Sequence, residues 1–145
     1  MQLLLISLTF LMGIMIAMYL PMNSSVARYL GSSITASIPF FFMATVTTIA
    51  LLFIFGDYKM VLKIKNLPGY LFLPGFLAAF MVLWTTFLIP KIGARNFFIL
   101  IIAGQILMSM FLSHFGLLES PQDPITLKKL LGALLVLAGA SLSTF

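Results

Sequence analysis

Five apolar runs, each about as long as a bilayer requires of a helix, take up most of this chain. They cover 2–20, 34–55, 68–89, 97–113 and 126–144. Hydrocarbon holds no water to satisfy peptide groups, so such a run must close its hydrogen bonds internally, as a helix. A soluble alternative would need a polar face on each helix. With 8% of the 145 residues charged, 62% hydrophobic and a mean hydropathy of +1.20, the chain cannot build those faces. The expected fold is therefore an all-α integral membrane bundle with five transmembrane helices in one membrane domain. The first run lacks the basic start and small-residue cleavage site of a signal peptide and is read as retained.

Composition removes several function classes. Cysteine is absent, which excludes disulfides, thiolate metal sites and thiol catalysis. The net charge of +5 would suggest nucleic acid in a soluble protein. Here the basic residues sit between apolar runs, where topology and lipid headgroups account for them, so the bilayer is the expected partner and nucleic acid is not. No paired carboxylate, metal cluster, phosphate loop or nucleophile–histidine motif is present, so neither enzymatic activity nor a metal or cofactor is expected.

In chain order, Thr9, Gly13 and Ala17 have the small-xxx-small spacing that admits a neighbouring helix. Pro21 is read as ending the first span, followed by a polar Met22-Asn23-Ser24-Ser25 segment and Arg28. A broken helix that frees backbone groups for a ligand is the alternative there. Gly31-Ser32-Ser33 leads into the second run, in which Ser37, Ala44 and Thr48 share a face with Phe41 and are read as packing. Lys59, Lys63 and Lys65 mark the longest charged loop. In the third run Gly75, Ala79, Val82 and Thr86 line one face; Trp84, roughly opposite, reads as an interfacial anchor.

The fourth run carries the most informative pattern, Gly104 to Gly116. Gln105, Ser109 and Ser113 recur every four residues and form one polar stripe on an apolar helix. Such groups bond to neighbouring helices or face a wet cavity; a substrate-lining role for them, with Asn23, stands beside the packing role. His114 precedes Gly116, an expected helix C-terminal residue, and reads as a solvated or capping group, with gating or pH sensing as the alternative. In the last run Gly132 and Gly139 lie on one face with Ala133 and Ala140 alongside. They are candidates for dimer packing, in competition with packing inside one subunit.

Five spans put the termini on opposite sides. Lys59, Lys63, Lys65, Lys128 and Lys129 fall on the N-terminal side, against Arg28, Lys91 and Arg95 on the other. Five against three leans slightly toward a cytoplasmic N-terminus. An imbalance this small also suits insertion in both orientations, and hence an antiparallel homodimer with a two-fold axis in the membrane plane.

Several of these segments carry a resemblance. Tyr19-Leu20-Pro21-Met22-Asn23, then Leu30-Gly31-Ser32 and Ala36-Ser37, resembles the first signature of the YdcZ-like branch of the drug/metabolite transporter superfamily. Pro90-Lys91-Ile92-Gly93-Ala94, Gly104-Gln105 with Ser109, and His114-Phe115-Gly116-Leu117 resemble the second, and Gly132 and Gly139 the closing glycines. The match runs through nearly the whole chain in order. It implies half of a ten-helix inverted-repeat transporter fold in the bacterial inner membrane, working as a homodimer or as a heterodimer with a homologous five-helix chain. One departure stands out: Ser113 occupies the position before His-Phe-Gly where the family usually has an acidic residue.

The expected function is transport of a small molecule by alternating access in a dimer. Asp57, Glu119 and Asp123 all fall at span ends or in loops, so no carboxylate waits inside the membrane for a cationic drug. A charge at mid-bilayer costs roughly 2.5–3.5 kcal/mol even on the lenient insertion scale. A neutral or anionic metabolite fits better, held by Gln105, Ser109, Ser113 and Asn23, with Arg28 or Arg95 as mouth charges. The alternative is a non-transporting scaffold or accessory subunit of a larger membrane complex.

Overall fold

The computed structural model describes residues 2–56 and 58–144; Asp57 lies outside them. Six α-helices follow in order: α1 (Gln2–Leu30), α2 (Ser33–Phe55), α3 (Tyr58–Val61), α4 (Leu73–Ile92), α5 (Ala94–Phe115) and α6 (Leu127–Thr144). Turns of 3-10 helix occupy Leu62–Asn66 and Gly69–Phe72, so the lysine-rich segment expected as a loop is largely helical. Five helices, counting Gly69–Phe72 with α4, are long and apolar enough to cross a membrane. No strand occurs among the described residues, and the expected all-α five-span fold is what the chain adopts. Met1–Lys91 and Ile92–Phe145 pack as two compact units.

In the first unit, α1 departs from the sequence reading. It continues without a break through Pro21 to Leu30, ten residues past the expected end. Proline removes one backbone donor, but stopping there would strip helical bonds from the nine following residues, which costs more. The polar residues read as a loop instead lie along a helix face. Leu20, Asn23, Ser24 and Ala27 are buried, at the i, i+3, i+4, i+7 spacing of one stripe. The same spacing recurs on α4, where Val82, Thr85, Thr86 and Ile89 are buried. Each stripe thus places two polar residues between two apolar ones.

Two residues make the corner from α1 to α2. Gly31 takes the left-handed conformation (φ 71°), which costs glycine no Cβ strain, and lets Ser32 N–H reach back to the Ala27 carbonyl at 3.2 Å. Ser32 at once caps α2, its hydroxyl accepting from Thr35 N–H at 3.2 Å. The chain reverses with few orphaned peptide groups. Ala36, in the first turn of α2, has no accessible surface.

In the second unit, α5 and α6 form a hairpin held at both ends. Gly116 (φ 63°) ends α5; its N–H donates to Ser113 O, and Leu117 N–H to Leu112 O at 2.9 Å, a complete Schellman cap. The Ser113 carbonyl also accepts from Asp123 N–H at 2.8 Å, drawing the connecting segment back onto α5. Lys129 pairs with Asp123 and donates to the Pro124 carbonyl at 3.0 Å, fixing the entry to α6. At the opposite end Arg95 donates to the backbone carbonyl of Ser143 and, at 3.3 Å, to its hydroxyl. A cation at the C-terminal end of α6 also meets the negative end of the helix dipole.

Candidate functional site

Polar side chains inside the spans fall into two groups. Most hydroxyls return to a carbonyl of their own helix: Ser7, Thr9, Ser25, Thr45, Thr48 and Ser141 each donate to the residue four before. A hydroxyl spent this way is satisfied in lipid and carries little further information. Ser109 belongs to this group, donating to Ile106 O at 2.9 Å, although its lone pairs stay free. Amides cannot fold back so easily, and Asn23 of α1 and Gln105 of α5, both well inside their helices, stand apart for that reason.

Asn23 is buried, 6% exposed, and its Nδ2 donates to Thr86 Oγ1 on α4 at 2.8 Å. Thr86 passes its own proton to Val82 O at 2.7 Å. Because that hydroxyl proton is committed, Thr86 can only accept from Asn23, and the orientation of the amide follows. Asn23 Oδ1 and one Nδ2 hydrogen then have no protein partner among the described residues. Thr85, beside Thr86, is 1% exposed with its hydroxyl unpartnered among the described residues, the one buried side-chain oxygen found so. A groove of about 480 Å³ between α1 and α2 has Asn23 in its wall.

Gln105 lies eleven residues from Ala94 and ten from Phe115, near the middle of α5. Its side chain is exposed and makes no hydrogen bond to a described residue. Ser109 is likewise exposed, and Ser113 half-buried, so the stripe lies open along the helix. The structure therefore brings Asn23 together with Thr86 in the first unit, while Gln105, Ser109 and Ser113 belong to the second.

The remaining sequence candidates take these positions. Arg28 is exposed and reaches back to Ser25 Oγ at 3.1 Å. Arg95, also exposed, holds the α5–α6 hairpin as described above. His114 is half-buried, and its Nδ1 accepts from Ile125 N–H at 3.1 Å. That bond needs an unprotonated Nδ1, so imidazole and backbone are linked through one proton. His114→Ala is expected to speed hydrogen exchange at the Ile125 amide severalfold, with α2 amides unchanged; equal exchange there would contradict a latching role.

The four residues named for dimer packing divide. Ala133 and Ala140 are buried within the chain, at 5% and 6% exposure, on the helix that pairs with α5, so a second copy cannot use them. Small side chains pack as readily on a chain's own neighbour as on a partner. Gly132 and Gly139 are exposed, with open space where a Cβ would be. Trp84 is 52% exposed and stacks edge-on with Phe87, whose ring also holds Lys91 Nζ at 3.8 Å. Thr85 is the residue that sequence reasoning missed. Its signal was the repeated stripe spacing shared with α1.

No metal-ligating cluster occurs among the described residues. No curated protein and no solved structure matches the chain. The family described as "Putative inner membrane exporter, YdcZ" matches residues 4–142, and with five membrane-crossing helices the chain belongs to that family as a multi-pass protein of the inner membrane.

Proposed function

We propose that this chain carries a small neutral or anionic metabolite across the inner membrane by alternating access, as half of a dimer. One observation carries the reading: Gln105 sits at mid-helix, exposed and unpaired among the described residues. An amide turned to hydrocarbon without a partner costs roughly 2–7 kcal/mol. Water or a second chain must therefore cover it. A cavity between two five-helix halves supplies both, and Ser109 and Ser113 extend the polar lining along the same face. With no carboxylate in any described span, such a cavity holds no electrostatic trap for a cation. Enzymatic chemistry finds no constellation to support it.

The family's inner-membrane exporter description supports the carrier reading over that of an inert scaffold. The partner is either a second copy in the opposite orientation or a homologous five-helix chain. With no native cysteine, Lys63→Cys gives a single reporter in the lysine-rich segment. An antiparallel homodimer predicts labelling by a membrane-impermeant maleimide in intact spheroplasts and in inverted vesicles alike. Labelling from one side only would leave the heterodimer.

A further inference from the structure

We infer that the groove between α1 and α2 binds uncharged amphiphiles: an apolar body bearing one hydrogen-bond donor such as an alcohol, phenol or amide. The inference rests on the carrier reading and narrows it from neutral or anionic cargo to neutral donors. At about 480 Å³ the groove falls within the roughly 300–1,000 Å³ of small-molecule sites. Tyr19, Met22 and Val26 of α1 and Phe40 and Met43 of α2 form most of its wall. Tyr19 and Phe40 lie 5.8 Å apart by ring centroids with their planes tilted by 32°, an aromatic pair in that wall. Asn23 is the amide in that wall.

The orientation of Asn23 sets the chemistry. One N–H is held by Thr86, whose own proton goes to Val82. Asn23 lines the groove and keeps an acceptor, Oδ1, and a single spare N–H free of any described partner. A hydroxyl or primary amide can donate to the first and accept from the second, satisfying both. A methyl ether can only accept and leaves Oδ1 unpaired, a loss worth roughly tenfold in affinity. A carboxylate meets the lone pairs of Oδ1, and no cationic side chain lines the groove to offset its desolvation. A quaternary ammonium has no proton to give and finds no anion. The site thus selects by donor, against both signs of charge.

The test is a competition with the full chain in lipid nanodiscs, using tritiated 4-phenylbutan-1-ol and scintillation proximity, with empty nanodiscs as the blank. Unlabelled alcohol is expected to displace the tracer at roughly tenfold lower concentration than its methyl ether, 4-phenylbutanoate or 4-phenylbutyltrimethylammonium. Asn23→Leu should remove that preference. If Asn23→Leu does not fold, Met43→Trp, at a half-exposed wall position, should block tracer binding while leaving the amide in place. Absence of saturable alcohol binding, or displacement as strong by the ether or the carboxylate, would overturn the inference. The carrier reading fails separately, by flux that is indifferent to Gln105.

Discussion

Gln105→Leu is expected to cut export by about tenfold or more, the effect of losing at least one hydrogen bond to cargo or cavity water. Insertion and helix content should not change, because the native amide makes no bond to a described residue and is already exposed. Leucine has nearly the same volume, and it favours the helix and the bilayer more than glutamine does. The change therefore removes polarity and little else. Comparing the medium of cells that overproduce the wild-type or the variant chain reads the effect whatever the substrate is. Metabolites that accumulate outside with the wild type should fall back to the level of cells lacking the chain. A scaffold subunit would leave that pattern untouched, since its partner surface loses no bond. Ser109→Ala should do less, because the serine proton is already given to Ile106 O.

Ala36→Leu is expected to destabilise the first unit by about 1–3 kcal/mol, the usual cost of forcing methylenes into a filled site. Ala36 has no accessible surface and stands four residues after Ser32, whose cap and left-handed glycine neighbour fix the approach of α2 to α1. A two-residue corner has few soft torsions with which to open. The strain should appear as a lower thermal midpoint in detergent and as faster exchange around Gly31–Ser32. Ala50→Leu, on an exposed turn of the same helix, is the matched control and should stay within about 0.5 kcal/mol. Equal midpoints for the two variants would mean that the α1–α2 contact is looser than its burial indicates.

Much of this architecture was legible in the sequence because hydrocarbon leaves the backbone so few options. Runs of about 20 apolar residues had to be helices, and Gly116 had to end α5 where glycine turns without strain. Polarity was the ambiguous signal. Asn23-Ser24-Ser25 after Pro21 reads the same whether it forms a loop or the buried face of a continuing helix. What decides is that ending the helix at Pro21 would forfeit the helical bonds of nine further residues, more than the one donor that proline removes. The Asn23–Thr86 bond joins residues 63 apart, and nothing local announces it. The matched stripes on α1 and α4 were present but pointed to burial without naming the partner. Ala133 and Ala140 show the same limit from the other side, since a small residue permits close approach without saying whose helix approaches. His114 was legible as a terminal residue; its bond to Ile125 depends on a loop conformation with Leu118 and Glu119 both at positive φ.

The central claim, that the α5 stripe faces water inside the membrane, has a direct measurement because every introduced thiol is the only one present. Only a hydrated thiol ionises and reacts, so modification by a charged methanethiosulfonate reports water at that side chain. Gln105→Cys and Ser109→Cys should react in native membranes far faster than Leu107→Cys, on the opposite side of the same helix. Rates at Gln105→Cys and Ser109→Cys as slow as at Leu107→Cys would put the stripe in lipid or dry contact and contradict the account.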